Sequence, residues 1–208
     1  MAEEIETLHA DIAFLRGLAE AGREAPSRAG GALIAAAGAI YAIACVVHWA
    51  FHSGRLAAPA AMDGWIFPTI WLGATAVFVA SMRALRRRYG DRAPSRRPAA
   101  AAWAGVGWTI FALAGSIAVL SWRIDSDLPT LLFPSLILAL YGLGWMVGAA
   151  ASGRRWIWGV SIASYVMAVV VAWFSVAPEG MLVLAAALIA LAFLPGLVLM
   201  RGAGVTAR

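Results

Sequence analysis

Charge is scarce in this chain. Of its 208 residues only 13% are charged, against 62% hydrophobic. A soluble domain of that length has no means of hiding so much apolar surface, so the composition excludes a water-soluble globular protein and predicts an integral membrane protein. Lysine, asparagine and glutamine are missing altogether, and all 16 basic residues are arginine. That usage points to a GC-rich genome and carries no functional weight. The single cysteine, Cys45, excludes an intrachain disulfide and leaves the redox compartment undefined. Also missing are a nucleophile paired with a base, a phosphate-cradling glycine loop and a carboxylate dyad. The sequence therefore predicts no enzyme, no catalytic residue and no cofactor.

Long apolar runs are abundant. Six stretches, 31–52, 65–86, 101–122, 129–150, 156–177 and 180–200, are nearly free of charge through their middles. Each is long enough to cross the hydrocarbon layer as a helix, which takes roughly 20 residues. The period-two alternation of a β-barrel is absent. The first run exceeds the roughly 7 to 15 residues of a signal-peptide core and follows a long acidic flank, so it reads as a retained span. The predicted fold is all-α: a polytopic bundle of six transmembrane helices preceded by a cytoplasmic amphipathic helix. Residues 1–28 form that helix and a linker, 29–202 the transmembrane domain and 203–208 a cytoplasmic tail.

Arginine placement sets the direction. Arg83, Arg86, Arg87, Arg88, Arg92, Arg96 and Arg97 follow the second run, Arg154 and Arg155 the fourth, and Arg201 and Arg208 the sixth. The loops on the other side hold only Arg55 and Arg123. Positively charged loops stay inside, so both termini are expected in the cytoplasm of a bacterial inner membrane. Ten tryptophans fit the same frame by depth. Trp49, Trp65, Trp71, Trp122 and Trp173 fall toward the outer ends, and Trp103, Trp108, Trp145, Trp156 and Trp158 toward the inner ones. The short Arg83 to Arg97 loop has a single aromatic, Tyr89, and no recognisable nucleic-acid-binding fold, so it reads as a topology signal in contact with anionic lipid and not as a nucleic-acid surface.

Within the bundle, Pro68 and Pro134 stand near the heads of the second and fourth spans, where a missing N–H costs little, and each is followed 20 residues later by an arginine, Arg88 and Arg154. Three consecutive helical hairpins, a degenerate repeat, are expected. Pro195 falls late in the sixth span and should kink it. Gly144 and Gly148 in "GLGWMVG", with Gly105 and Gly107 in "AGVGW", mark expected close contacts between helices of the bundle or of a homodimer.

Ahead of the first span, Ile5, Leu8, Ile12, Leu15 and Ala19 recur at helical spacing and form one apolar stripe. Residues 1–28 carry six acids and three arginines. That balance argues against adhesion to an anionic membrane surface. The stripe is expected either to dock on the protein's own cytoplasmic face or to meet a helix of another protein. The combination of "DIAFLRGLAEAGR" ahead of six short spans with Phe-Pro at the heads of spans two and four resembles a loose group of small bacterial inner-membrane proteins of unknown function. The resemblance implies the six-span plan and no functional residue.

Chemistry-bearing side chains gather in "CVVHWAFHSGR", where Cys45, His48 and His52 are spaced 3 and 4 apart and share one helix face. Asp63, Asp125, Asp127 and Glu179 are the other acidic groups expected at the outer side. Zinc needs three or four ligands at about 2.0 to 2.3 Å, and Cys45 and His52 lie roughly 10 Å apart along a helix axis, so no metal site is expected. An unperturbed histidine titrates near about pH 6.5. The cluster His48, His52, Asp63, Asp125 and Asp127 is therefore a candidate for responding to protons or a ligand, beside its plainer reading as interfacial packing. No Asp, Glu, Arg or His stands mid-membrane, which argues against ion-coupled or proton-coupled transport. The expected function is a non-enzymatic regulatory or sensory membrane subunit; the competing one is a small transporter of a neutral or lipophilic substrate.

Overall fold

The computed structural model describes residues 12, 28–57, 59–62, 64–89 and 98–202. Among them the only regular structure is helical. The spans are α1 (Arg28–His52), α2 (Ile66–Tyr89), α3 (Pro98–Ile124), α4 (Phe133–Ser152) and α5 (Arg155–Trp173), followed by a sixth built from α6 (Gly180–Leu188), a π turn (Ile189–Phe193) and α7 (Leu194–Gly202). Short 3₁₀ turns, Ala60–Met62 and Leu128–Leu132, precede α2 and α4. Among the described residues six helices are long and apolar enough to cross a membrane, and the chain is a multi-pass membrane protein. The expected boundaries hold to within a few residues. Of the N-terminal stripe only Ile12 is described, helical and exposed; Ile5, Leu8 and Leu15 lie outside the described residues, as does the 203–208 tail.

Proline acts at the helix starts as its chemistry requires. Pro68 and Pro134 fall within the first turn of α2 and α4, and Gly153 closes α4 in the left-handed conformation at φ 67°, its N–H returning to the Ala149 carbonyl.

The core lies between the first, fourth, fifth and sixth spans. Leu138, Tyr141, Trp145 and Ala149 of α4, Ile157, Ala168 and Val171 of α5, and Leu184, Leu188 and Ala192 of the last span bury together with Ala42 and Cys45 of α1. Apolar side chains also cover the outside, among them Leu72, Val119, Val169 and Trp173, as lipid contact demands. Lipid tails are as apolar as leucine, so close packing rather than water exclusion must hold the helices together.

The hairpin expectation needs correction. Spans one and two pack together, as do three and four, but α5 lies chiefly on α4 and the sixth span on α1. The expected glycine contacts are also relocated. Gly144 receives the Trp103 indole, whereas Gly105, Gly107 and Gly148 face open space. The closest crossing is between α1 and the sixth span. A Cβ on Gly38 would stand 2.5 Å from the Phe193 nitrogen, one on Gly196 2.5 Å from the Ala35 nitrogen, and one on Gly31 2.7 Å from the Gly196 oxygen. Gly31, Ala35 and Gly38 make one small-residue face of α1, and that face lies against the backbone of the sixth span.

The π turn sits one turn ahead of Pro195, where a kink was expected. Proline at 195 has no N–H for the Leu191 carbonyl four residues back. The Leu194 N–H reaches five residues back to Ile189, and the stranded Leu191 oxygen accepts from Trp145 Nε1 at 2.8 Å. A buried indole donor and a buried free carbonyl thus satisfy each other.

Candidate functional site

Two helices in antiparallel contact bring their four-residue repeats face to face. Tyr41, His48 and His52 lie along one face of α1; Phe67, Trp71, Thr75 and Phe78 lie along one face of α2. From the histidine end inward, His52 meets the Phe67 ring edge-on at 6.1 Å between centroids, and His48 stacks on Phe67 at 4.3 Å. His48 also accepts a hydrogen bond at Nδ1 from Trp71 Nε1, 3.1 Å away. Deeper, Tyr41 packs on Trp71 and Phe78, with its hydroxyl 3.4 Å from Thr75 Oγ1. These contacts form a continuous aromatic seam.

The seam matters because little else holds α2. None of its residues is fully buried, and its packing is principally on α1. The seam's polar contacts are therefore a large share of what keeps this span on the bundle.

The donor set fixes the state of His48. An indole nitrogen can only donate, so Nδ1 of His48 must carry a lone pair, and the neutral ring must carry its proton on Nε2. In that tautomer neither nitrogen is free to ligate a metal. Among the described residues no group of three His, Cys, Asp or Glu side chains could hold a metal ion.

The shared face expected for Cys45, His48 and His52 divides in the structure. Cys45 is fully buried in the core, His48 is half-buried against α2, and His52 is exposed. Seven residues apart, Cys45 and His52 point the same way to within about 20°; what separates them is depth, since Cys45 lies two turns further into the bundle, within the core cluster, and His52 is the last residue of α1. Asp125 and Asp127 stand at the same end of the bundle but serve turns. Asp125 ends α3 at φ 50°, a left-handed position that aspartate tolerates. The Asp127 carbonyl accepts the Thr130 N–H at 2.9 Å and its hydroxyl at 2.6 Å, opening the 3₁₀ turn. Both side chains are exposed, and among the described residues no hydrogen bond links either to a histidine. Asp63 lies outside the described residues. Arg55 rests its guanidinium 4.6 Å from the Trp49 ring centre at this end.

Sequence reasoning missed Phe67, Trp71 and Tyr41 as partners of the histidines. Trp71 reads as an interfacial tryptophan by depth, yet it, Trp103 and Trp145 turn inward; Trp103 packs edge-on to Tyr141 and Trp145 at 5.4 and 5.1 Å. The matching signal, Phe67 and Trp71 at the same four-residue spacing as His48 and His52, is present in the sequence. It becomes informative only once α1 and α2 are known to pack. No family model, curated protein or solved structure matches this chain.

Proposed function

We propose that the protein is a non-enzymatic regulatory or sensory subunit of the bacterial inner membrane, with both termini cytoplasmic. In this reading the Ile5, Leu8, Ile12 and Leu15 stripe engages a partner protein, and the outer end of the α1–α2 seam responds to acid. The observation that carries it is the Trp71 to His48 hydrogen bond. Neutral imidazole accepts there; imidazolium bears a proton on both nitrogens and cannot. Protonation of His48 therefore removes the bond and sets two donors against each other, loosening α2. The side chains facing His48 are His52 on its own helix and Phe67 and Trp71 on α2. Among the described residues none of them is a carboxylate that would neutralise the imidazolium.

A carrier of neutral or lipophilic substrates is the second reading, favoured by the π turn in the sixth span, since transporters use interrupted helices. It ranks lower because the freed Leu191 carbonyl is already taken by Trp145, and Leu191 and Ala192 are buried. Affinity purification from membranes held at pH 7 or 4, the lower value acid enough to protonate a half-buried imidazole that accepts a hydrogen bond, separates the two. Wild type should retain a partner to a pH-dependent extent, the Leu8→Ser, Ile12→Ser, Leu15→Ser variant should lose it, and His48→Phe should retain it equally at both values. Recovery that ignores the stripe defeats the regulatory reading. Absence of a partner together with solute movement in liposomes establishes the carrier.

A further inference from the structure

Opposite the histidine end, the bundle carries positive charge with no carboxylate beside it among the described residues. The described carboxylates, Asp125, Asp127 and Glu179, all belong to the histidine end, while Arg28, Arg83, Arg86, Arg87, Arg88, Arg154, Arg155 and Arg201 occupy the other. Three of these arginines converge from separate elements. At the close crossing of α1 and α7 a Cβ on Gly31 would meet Gly196 and the Met200 nitrogen, so Arg28, three residues before Gly31, and Arg201, next after Met200, fall at the same end of the pair. Arg154, from the α4–α5 junction, lays its guanidinium beside Gly202, where a Cβ would stand 3.3 Å from Nη1. The missing side chain at 202 leaves room for it. Arg154 is half-buried, and among the described residues none of its side-chain donors has a hydrogen-bond acceptor.

We propose that Arg28, Arg154 and Arg201 form a headgroup site for an anionic phospholipid at the end of the bundle where α1, the α4–α5 junction and α7 meet. A guanidinium offers a planar fork of donors that fits phosphate oxygens. The acyl chains have a path, because Leu194 and Val198 stand seven and three residues before Arg201, on the same face of α7, and both are about half exposed at 50% and 49%. A free phosphate shares the headgroup chemistry but has no use for that apolar face. The site does not rest on the sensory reading.

The full chain, purified in a neutral detergent, tests this by lipid retention in native mass spectrometry and by thermal shift. Phosphatidylglycerol should bind and raise the melting temperature, while phosphatidylcholine and inorganic phosphate should not. Arg154→Gln and Arg201→Gln should each weaken phosphatidylglycerol about fivefold, on the basis of roughly 1 kcal/mol per interfacial arginine. Arg28→Gln serves if Arg154→Gln fails to yield a monodisperse protein. The triple change Arg86→Gln, Arg87→Gln, Arg88→Gln should bind as wild type. Equal binding of both lipids, equal binding by the Arg154 and Arg201 variants, or a shift produced by phosphate alone overturns the proposal. So does binding that emerges only when residues 1–27 are removed, since the chain's own acidic segment would then be the occupant.

Discussion

Trp145 and Pro195 belong to different spans and explain each other. The proline strands the Leu191 carbonyl inside the bundle, and the indole reaches it at 2.8 Å. Trp145→Phe keeps an aromatic ring but leaves a buried acceptor unpaired, a loss expected to cost about 1 to 3 kcal/mol. Pro195→Ala supplies a backbone N–H at the position that an α-helix would use. The double variant should recover much of the loss, measured by unfolding in mixed micelles as a double-mutant cycle; equal losses in Trp145→Phe with and without Pro195→Ala would show that the two are not coupled. At this scale the sequence displays the proline but not its partner, because donor and acceptor are 46 positions apart. Cys45 teaches the same lesson in reverse. Its spacing to His48 is legible, while its full burial depends on α4 and the sixth span.

Between helices, the spacing of small residues matters less than what lies opposite. Gly144 and Gly148 have the spacing of a close-packing motif, yet only Gly144 is covered, by Trp103. Gly38 and Gly196 lack that pairing within their own helices, yet a Cβ added to either would stand 2.5 Å from a backbone nitrogen of the other helix. Gly38→Ala and Gly196→Ala must push α1 off the sixth span and should each cost about 1 to 3 kcal/mol. Gly105→Ala and Gly148→Ala meet nothing within 4 Å and should stay within about 0.5 kcal/mol of wild type. The same unfolding assay in micelles checks all four. Wild-type stability in Gly38→Ala would mean that the crossing yields easily.

For the molecule as a whole, the asymmetry of charge is the main fact. Its described carboxylates occupy one end and most of its described arginines the other. The proposed orientation, with the arginine end cytoplasmic, rests on the positive-inside rule. In a Cys45→Ser background, a cysteine introduced at Ala60, in the 3₁₀ turn before α2, should react with a membrane-impermeant thiol reagent in intact cells. One introduced at Ser95 should react only after lysis. The opposite pattern would invert the orientation and place the His48 latch inside the cell, removing external acid as its stimulus.

Six spans, their limits to within a few residues and the polarity of their loops follow from the sequence alone, because a membrane imposes length, apolarity and charge placement on each segment locally. Even the proline starts of α2 and α4 are local facts. Which spans touch is not local. All six are apolar on every side, so no amphipathic face tells α1 to choose α2 and the sixth span, or α5 to choose α4. That choice rests on shape: glycine against backbone at Gly38 and Gly196, a serine such as Ser161 reaching the Gly142 carbonyl at 2.7 Å, an indole reaching a stranded oxygen. The histidines were visible as a pair on one helix. Only the tertiary structure supplied Trp71 and Phe67, because a hydrogen bond between spans is set by the register of two helices and not by the sequence of either.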